Sequence, residues 1–419
     1  MLLIYPPFCT PASPPLALAG FYPNVKGAEV LDLNLKYHEL KFPRYAEYFR
    51  KKKWEDYEEV ASEYMKKSAE AYSENNNRVL DGEKPEFFDD LLKLIKGHET
   101  VAFSVVYSSQ AFYTLALLKE LDIPAYVGGP AVNSKLLEYA KGEKEFFEEH
   151  GLDHEPADFS FAARYFTPEP VIPLRTSNTC PYKQCAFCSH YSEVEYMESD
   201  LDQVRKTIRS SGAKHFFVVD DMIPPGRLVE VADMFKELGV RWACQLRPTG
   251  IDEELLKKLA VSGLVMVIWG VESASDRVLG LMRKGTNVRE IKQTLKTAHE
   301  QGIANVVNIM FGFPGERKEE MQMTIDFLLR NASIIDLVST SVFGLQKGSY
   351  IYDHPEDFGV SFTETERTVL DPKISYSVAE GVTQEDANAF RKKNMHVFDR
   401  INKYPKAMNF FREHMILCL

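Results

Sequence analysis

The sequence predicts an α/β protein: a partial (β/α)6 barrel, preceded by a small Rossmann-like parallel α/β domain with a helical insertion and followed by a short helical tail. Two patterns predict this fold class. Strand-like and helix-like segments alternate six times from Val171 onward, and a strand–helix–strand unit before them ends in Gly128-Gly129. The chain has 419 residues, 45% of them hydrophobic, which is enough for about two or three packed domains.

The first domain, residues 1–152, is predicted from short apolar segments that alternate with helical ones. Because a βαβ unit places its strands side by side in parallel, we expect one small parallel sheet. The helix of that unit is predicted at Ser109–Leu121, and a linker rich in Asp, Pro and Phe follows at 153–170. The predicted strands are Leu2–Tyr5, Ala28–Asn34, Thr100–Val106 and Ala125–Pro130.

A charged and aromatic stretch, residues 42–98, interrupts this domain and forms the predicted helical insertion. Apolar residues three and four positions apart predict one long helix from Arg44 to about Glu74, ended by a run of three asparagines. A shorter helix is predicted at Phe87–Lys96. The insertion either packs on the domain with one face in solvent or serves as an arm that grips a substrate or a partner.

Residues 171–350 form the predicted barrel, because six strand–helix repeats are too few for a closed eight-stranded barrel and suit a six-stranded one with a lateral opening. In such barrels chemistry takes place at the carboxyl ends of the strands. Ser199 and Asn287 are the predicted N-caps of two helices. The predicted strands are Val171–Ser177, Lys214–Val219, Val240–Leu246, Leu264–Val271, Ile303–Phe311 and Asp336–Gly344. The predicted helices are Ser199–Ser211, Arg227–Leu238, Glu253–Ser262, Ser275–Met282, Val288–Gly302 and Glu316–Leu329. The tail, residues 351–419, is predicted to be helical and has no assigned task.

Composition narrows the class of protein. The net charge of −11 argues against a broad nucleic-acid-binding surface. No run of about 18 apolar residues is present, so no membrane span is expected, and the first residues lack the basic segment of a signal peptide. We therefore expect a cytoplasmic protein. Six cysteines, unevenly spread, do not make a disulfide framework.

Three of the cysteines, Cys180, Cys185 and Cys188, lie close together just after the first predicted barrel strand. They could bind zinc with His190 as the fourth ligand, although zinc ligands usually come as two separated pairs. Because no second pair is present, the C-x4-C-x2-C spacing favours a [4Fe–4S] cluster with one iron left open to a small molecule. The other thiols are interpreted as buried or incidental: Cys9, Cys244 and Cys418.

With these residues the chain resembles the radical S-adenosylmethionine (SAM) superfamily, over about 165–350 and, less closely, over 1–135. The order of its motifs is similar to that of members with a cobalamin-binding-type N-terminal domain. One departure is the cysteine spacing, which has one residue more than the commonest C-x3-C-x2-C. The further motifs that carry the resemblance end or follow barrel strands: Val218–Asp221, Trp269–Ser273, Leu281–Gly285, Asn308–Glu316 and Phe343–Leu345.

The resemblance implies a [4Fe–4S] cluster whose open iron binds SAM, so that one electron cleaves the sulfonium and yields a 5′-deoxyadenosyl radical. It also implies a small electron donor of the ferredoxin or flavodoxin type. Carboxylates suit the methionine ammonium of SAM, or for Glu272 also its ribose, and arginines suit its carboxylate. The amide of Asn308 and backbone groups of the 311–314 turn suit its ribose and adenine, and Phe187 resembles the aromatic residue beside the adenine. The implied cofactor-binding residues are Phe187, Asp220, Asp221, Arg247, Glu272, Ser273, Arg283, Asn308, Phe311 and Phe313.

Several of these residues have a purely structural alternative. Asp221 could cap the next helix, and Glu272, at the end of an apolar strand, could form a core ion pair. Arg247 and Arg283 could be ordinary packing or surface arginines. Both readings stay open for each of the four residues at this point.

Gly128-Gly129 resembles the glycine pair with which such N-terminal domains approach cobalamin, and its alternative is an ordinary βα turn. The Asp-x-His-x-x-Gly motif that supplies a cobalt-bound histidine in other cobalamin domains is absent, and His38 lacks that context. We therefore expect any bound cobalamin to carry no imidazole from this chain. A domain that has lost the ligand and only shapes the substrate site is the alternative.

Three functions compete. The first is a radical SAM enzyme acting as a cobalamin-dependent methyltransferase on an unactivated carbon; the second is the same radical chemistry without cobalamin, for a rearrangement or coupling. The third is a metal-binding protein without catalysis. A methylthiotransferase is excluded, because it needs three N-terminal cysteines and residues 1–150 contain only Cys9. The sequence does not identify the substrate.

Overall fold

The computed structural model describes residues 1–151, 155–191 and 194–419 and confirms the predicted fold class. The first sheet has four parallel strands, β1 (Leu2–Tyr5), β2 (Glu29–Asp32), β3 (Val101–Ser104) and β4 (Ala125–Gly128), in the order β2-β1-β3-β4. All four residues of β1 are buried, because the strand is central and helices cover the sheet. The helices of this part are α1 (Leu16–Phe21), α2 (Leu33–Lys41), α3 (Pro43–Phe49), α4 (Tyr57–Leu80), α5 (Phe88–Ile95), α6 (Ser108–Glu120), α7 (Ser134–Leu137) and α8 (Glu143–His150).

The insertion differs from its prediction. The expected single long helix is divided into α3 and α4, and α4 continues through the three asparagines to Leu80. Asn75 does not end the helix because its side chain is buried and fully used: Nδ2 donates to the Ala71 carbonyl and the Tyr37 hydroxyl, and Oδ1 accepts from the Glu86 amide. Tertiary hydrogen bonds thus override a local signal for a helix end.

The second sheet contains the six predicted barrel strands, all parallel and open between the first and the last. Two further strands, β6 and β7, form a small hairpin beside this sheet. The strands of the sheet and of the hairpin are β5 (Val171–Leu174), β6 (Ser177–Asn178), β7 (Met197–Glu198), β8 (His215–Val218), β9 (Arg241–Leu246), β10 (Leu264–Glu272), β11 (Ala304–Phe311) and β12 (Leu337–Val342). The order is β12-β11-β10-β9-β8-β5, and β6 pairs with β7. The helices between them are α9 (Leu201–Ser211), α10 (Pro225–Leu238), α11 (Glu253–Val261), α12 (Asp276–Leu281), α13 (Val288–Glu300) and α14 (Lys318–Arg330).

One predicted helix cap is correct and one is wrong. Asn287 caps α13, since its side chain accepts a hydrogen bond from the Glu290 amide. The cap of α9 is Asp200, whose carboxylate accepts from the Asp202 amide, and Ser199 lies one residue too early.

Alternating residues divide the barrel strands into two faces. One face packs under the helices around Trp242 and Trp269. The other face, toward the interior, has an apolar layer near the amino ends of the strands: Ala243, Met266, Ile268, Val306 and Leu337. The next interior positions toward the carboxyl ends are more polar, with Gln245, Gly270 and Asn308. On the interior face, these three strands are therefore apolar near their amino ends and more polar near their carboxyl ends.

The tail is helical from α16 (Gln384–Lys393) onward, but a two-stranded hairpin that the sequence analysis missed precedes it. Its elements are α15 (Tyr350–Asp353), β13 (Val360–Thr365), β14 (Lys373–Val378), α16, α17 (Met395–Ile401) and α18 (Met408–Met415). The alternation of polar and apolar residues in both hairpin strands is the signal that predicts such strands.

The tail joins the insertion to the amino-end layer of the barrel. The Phe411 ring lies 4.8 Å from the ring of Phe49 in α3, and the Glu58 carboxylate of α4 accepts the Ala407 amide at 2.9 Å. The 3₁₀ turn Ile416–Cys418 packs against β8, β9 and β10. This packing supports the first of the two alternatives for the insertion.

The segment predicted as a linker is packed rather than solvated. Residues 155–170 form no helix or strand, yet Phe159, Tyr165 and Phe166 are buried, and the Tyr165 hydroxyl donates to Asp32 at 2.7 Å. Residues 152–154, where the predicted domain boundary falls, lie outside the described residues. Within the described ranges, no helix is both long and apolar enough for a bilayer.

Candidate functional site

The three clustered cysteines lie on one loop after β6, at the carboxyl edge of the barrel sheet. All three are free and partly buried. Burial raises the pKa of the Cys188 thiol to about 11, and burial also raises the pKa of Cys185, with a further rise from the neighbouring Cys180 thiol. The three thiols are therefore near one another and would all gain from binding a positive metal centre.

Backbone contacts from both sides fix this cysteine loop. The Ala186 amide donates to the Met282 carbonyl at 2.9 Å. The Ala186 carbonyl accepts from the Ile351 amide, also at 2.9 Å. The Tyr182 hydroxyl donates to the Arg283 carbonyl at 2.8 Å. Gly285 permits this docking: its φ is +67°, and a Cβ there would lie 2.2 Å from the Tyr182 hydroxyl.

Asp220 bonds the residues that precede the cysteine loop. Its buried carboxylate accepts the Thr176 amide and the Ser177 hydroxyl, both at 2.7 Å, and the Thr176 hydroxyl at 2.5 Å. Burial raises the pKa of this carboxyl group. Because its oxygens are bonded to the residues that lead into the cysteine loop, Asp220 holds that loop and does not face it.

Asp221 points to the cysteine loop, where His190 lies. Its Oδ1 is 3.1 Å from His190 Nε2, and this hydrogen bond raises the pKa of the histidine. Asp221 is therefore not the N-cap of the next helix, whose N-cap is Pro224.

Glu272 forms an ion pair with a lysine that the sequence analysis did not single out as a site residue. Lys284 Nζ lies 2.9 Å from Glu272 Oε1, and both side chains are largely buried. Burial lowers the pKa of Lys284, but the neighbouring Glu272 carboxylate contributes to raising it above its ordinary value, so the ammonium stays charged. The core ion pair left open for Glu272 is present, and it lies against the cysteine loop.

The two predicted arginines lie on opposite sides of this loop. Arg247 stacks on the Tyr182 ring with 3.5 Å from the guanidinium carbon to the ring centroid, and it donates to the Lys284 carbonyl at 2.8 Å. Arg283 stacks on the Tyr350 ring at 3.9 Å and points away toward Asp357. Arg247 therefore lies against the cysteine loop and the backbone of Lys284, whereas the Arg283 side chain is turned toward Tyr350 and Asp357.

Asn308 lies on the interior face of β11, next to Gly270 of β10. Its Oδ1 is buried and has no hydrogen-bond partner among the described residues. Ser273 differs: it is fully buried, its hydroxyl accepts the Ser275 amide at 3.2 Å, and it shapes the turn before α12. Of these two predicted contacts, only Asn308 has an atom left for a ligand.

The predicted aromatic residues also differ in the face of the sheet on which they lie. Phe187, between two of the cysteines, packs on Phe313 with 6.5 Å between ring centroids. Phe311 faces the other side of the sheet and packs on Phe390 and Phe398 of the tail. Strand alternation turns the Phe311 side chain under the helices, and the expected contact of backbone groups of the 311–314 turn with a cofactor stays a prediction.

Gly128 and Gly129 lie at the carboxyl end of β4 beside an apolar cavity of about 110 Å³, whose walls include Phe103, Phe146 and Phe147. Gly129 has φ +111°, and a Cβ there would lie 2.5 Å from the Val105 carbonyl oxygen, so the turn requires glycine. The exposed Glu143 side chain covers the pair and accepts the Gly129 amide at 2.8 Å.

His38 lies in α2, deep in the core and away from this cavity's walls. Tyr64 and Tyr72 hydroxyls bond its two ring nitrogens, each at 2.8 Å, and burial lowers its pKa to about 3. The Tyr72 hydroxyl also donates to the Cys9 carbonyl, so we infer that Nε2 carries the proton of this neutral histidine. Both nitrogens are therefore occupied by the protein.

Three residues beside the cysteine loop were not predicted from the sequence: Lys284, Tyr182 and Met222. Lys284 lies inside the motif Leu281–Gly285 that carries the resemblance, and Tyr182 lies inside the cysteine loop, so both have a signal in the sequence. Met222, whose sulfur is 4.0 Å from Cys180 Sγ, follows the aspartate pair and gave no separate signal.

The residues present suit a four-iron cluster better than zinc. No three His, Cys, Asp or Glu side chains of the described ranges are arranged around a point that one metal ion could occupy. Ligands of a single zinc would bring the sulfurs within about 4 Å of one another, since Zn–S bonds are about 2.3 Å long. Thiolates that each bind a different iron stand farther apart. His190, the possible fourth zinc ligand, bonds Asp221 through Nε2 and has only Nδ1 left for a metal.

Comparison with known proteins agrees with the site. Residues 174–328 match the family model of the Radical SAM superfamily. An uncharacterised methyltransferase of Pyrococcus horikoshii is 27% identical over 166 residues, which cover 37% of this chain and 36% of that protein. The anaerobic magnesium-protoporphyrin IX monomethyl ester cyclase of Cereibacter sphaeroides is 27% identical over 158 residues, 35% of this chain and 26% of that enzyme. The chain thus spans only about a third of the length of these relatives.

A solved structure extends the likeness beyond the matched domain. The radical SAM methyltransferase TsrM of Kitasatospora setae, with cobalamin and a [4Fe–4S] cluster bound, superposes with a TM-score of 0.59 at 17% identity, covering 88% of this chain and 82% of that one. At this identity the likeness shows the fold alone. Residues 174–328 therefore form a radical SAM domain, and the resemblance drawn from the cysteine loop and the strand-end motifs is confirmed.

Proposed function

We propose that this protein is a radical SAM enzyme that binds cobalamin in its N-terminal domain and methylates an unactivated carbon. The single observation that carries the radical SAM part is the group of three free thiols on an anchored loop beside the interior carboxyl edge of the barrel. The superfamily uses a [4Fe–4S] cluster and SAM, and the methyltransferase part rests on the names of the relatives and on the fold shared with TsrM.

The interior edge offers complementary groups for each part of SAM. Glu272 suits the methionine ammonium, Lys284 and Arg247 suit the carboxylate, and the free Oδ1 of Asn308 suits a ribose hydroxyl. Phe187 and Phe313 form an apolar wall for the adenine. When bound, the cluster and SAM supply one-electron cleavage of the sulfonium, and cobalamin supplies a carrier for a methyl group. The electron comes from a small donor of the ferredoxin or flavodoxin type.

For cobalamin, the described residues that line this site offer an apolar cavity and a glycine turn, and none of them is a histidine. The cavity suits a flat aromatic group, and the turn is covered only by Glu143, an exposed side chain that can move aside. His38 is excluded as a cobalt ligand by its two tyrosine partners. We therefore propose that the cobalt of bound cobalamin has no nitrogen ligand from this protein.

The test of the radical SAM part is anaerobic reconstitution with iron and sulfide, followed by iron counting, Mössbauer spectroscopy and assay of 5′-deoxyadenosine from SAM with a reductant. We expect about four irons per chain, lost in the triple variant Cys180→Ala/Cys185→Ala/Cys188→Ala. The matched control is Cys9→Ser, which keeps a hydroxyl for the Tyr5 contact and should bind the same iron. One equivalent of zinc without iron would disprove the proposal.

The test of the methyltransferase part is cobalamin retention through gel filtration, with electron paramagnetic resonance of the Co(II) form. We expect binding without nitrogen superhyperfine splitting. Nitrogen superhyperfine splitting that is present in the wild type and disappears in His38→Phe would show that His38 binds the cobalt, and would contradict the proposal. A protein that cleaves SAM but retains no cobalamin would favour the second candidate, hydrogen abstraction without cobalamin.

A further inference from the structure

A buried ion pair of Lys284 and Glu272 lies beside the cysteine loop. Lys284 Nζ is 2.9 Å from Glu272 Oε1 and 5.5 Å from the centroid of the Phe187 ring, which lies in sequence between Cys185 and Cys188. The side chains are only 7% and 13% exposed, so water screens their charges weakly.

The backbone holds this pair in place. Glu272 ends β10 at an irregularity in the strand and has φ +66°, a conformation that costs energy in a residue with a side chain. Gly270 leaves the space that the pair fills, since a Cβ there would lie 2.8 Å from Lys284 Nζ and 2.9 Å from Glu272 Oε1. Arg247 bonds the Lys284 carbonyl at 2.8 Å and fixes the start of that side chain.

The pair lies against the loop that carries the thiols. The Ala186 amide, next to Cys185, donates to the Met282 carbonyl at 2.9 Å, and the Tyr182 hydroxyl of the same loop donates to the Arg283 carbonyl at 2.8 Å, so the backbone leading to Lys284 is bonded to the cysteine loop. A centre bound to these thiols would experience the fields of the cation and of the carboxylate in opposite directions.

We propose that the Lys284–Glu272 pair sets the reduction potential of the cluster, with Lys284 raising it and Glu272 lowering it. This inference rests on the proposed function, which places the cluster on the three cysteines. Reduction of the cluster adds one electron from an external reductant and breaks no bond, so it makes the site more negative by one charge. A buried cation stabilises that reduced state, and a buried carboxylate destabilises it.

The experiment is a redox titration of the reconstituted protein without SAM, followed by electron paramagnetic resonance of the reduced cluster. We expect Lys284→Met to shift the midpoint potential to a more negative value and Glu272→Gln to shift it to a more positive value. The double variant should return toward the wild type, and Lys284→Arg, which keeps the charge, should change it least. Lys296→Met, an exposed lysine paired with Glu300 on α13, is the control with no expected shift.

Opposite shifts separate an electrostatic role from mere disruption, because loosened packing would move both variants the same way. Shifts of the same sign, or no shift in variants that hold the wild-type amount of iron, would overturn the inference while leaving the proposed function intact. If one of the two single variants does not retain iron, the direction of the potential shift in the other variant decides. A wild-type protein that binds no cluster would refute both the inference and the proposed function.

Discussion

The carboxyl edges of the two parallel sheets differ in how many of their polar groups have hydrogen-bond partners within the protein. In the N-terminal sheet, Asp32 at the end of β2 accepts both the Leu35 amide and the Tyr165 hydroxyl, and Gln110 bonds the Pro6 carbonyl. At the barrel edge, by contrast, three free thiols and the Oδ1 of Asn308 have bonding capacity that the described protein does not use.

This difference distinguishes two kinds of binding edge. An edge whose polar groups bond one another is stable without a ligand and can hold one only through apolar contact and displaceable side chains, as the cavity beside Gly129 offers. An edge whose buried polar groups lack hydrogen-bond partners is less stable until a ligand bonds those groups. The barrel edge therefore needs its cofactor more than the N-terminal edge does.

Asp220→Ala would remove the support of the open edge and should have the largest effect. Two hydroxyls and one buried amide lose their acceptor, so we expect the free energy of unfolding to fall by about 3 kcal/mol or more. Iron retention after reconstitution should fall with it. Urea unfolding and iron counting measure both effects. Asp233→Ala, an exposed carboxylate on α10, is the control, and equal iron in the two variants would contradict the supporting role.

His38→Phe would disrupt the closed region of the N-terminal part. The Tyr64 and Tyr72 hydroxyls lose their common partner in a buried site, so we expect a loss of about 1–3 kcal/mol in the free energy of unfolding. Iron content should stay at the wild-type level, because the histidine is remote from the cysteine loop. The exposed His299→Phe is the control. A stability equal to that of the wild type would mean that these hydrogen bonds contribute nothing.

Asn308→Ala tests whether the unused oxygen of the open edge has a ligand. Because Oδ1 has no protein partner among the described residues, we expect stability within about 0.5 kcal/mol of the wild type. SAM affinity of the reconstituted protein, measured by calorimetry, should fall about 3- to 10-fold. Asn305→Ala on the opposite face of β11 should do the reverse, since Asn305 bonds Trp269 and two carbonyls. Unchanged SAM affinity in Asn308→Ala would remove Asn308 from the site.

Glu316→Gln should have the smallest effect, visible only as a change in pH dependence. Burial raises the pKa of Glu316 from an ordinary 4.5 to about 8. Between these pH values the folded protein holds a proton that the unfolded chain releases, so stability falls as pH rises. Glutamine cannot release it, and we expect the melting temperature of the variant to decline less from pH 5 to pH 8. The exposed Glu319→Gln is the control, and parallel pH curves for Glu316→Gln and wild type would disprove this.

The sequence contained most of the barrel, because its signals are local. Strand and helix patterns depend on neighbouring residues, and the six repeats from Val171 to Gly344 were all found with errors of one to three residues at most boundaries. The cysteine cluster is also local, since three ligands on one loop need no tertiary structure to bring them together. Gly129 is a local signal as well, since its turn requires glycine, whereas its contact with cobalamin stays a prediction.

The roles of the acidic and aromatic residues depended on the tertiary structure. Asp220 and Asp221 are adjacent in sequence, yet one carboxylate turns toward Thr176 and the other toward His190, because successive residues after a strand point in different directions. The same alternation places Phe311 under the helices and Asn308 in the interior. A sequence motif does not contain that orientation, which depends on strand register and on a bulge such as the one before Glu272.

By itself, then, the sequence determined the order of the elements, the cysteine loop and the superfamily, since each is encoded by residues close together in the chain. Only the tertiary structure decided which polar groups are left free for a ligand. Whether a buried oxygen is free depends on partners far away in sequence, such as Tyr165 for Asp32 across 133 residues or Thr176 for Asp220 across 44. Folding assigns those partners, and the groups that it leaves unassigned, above all Asn308 and the three thiols, mark the site.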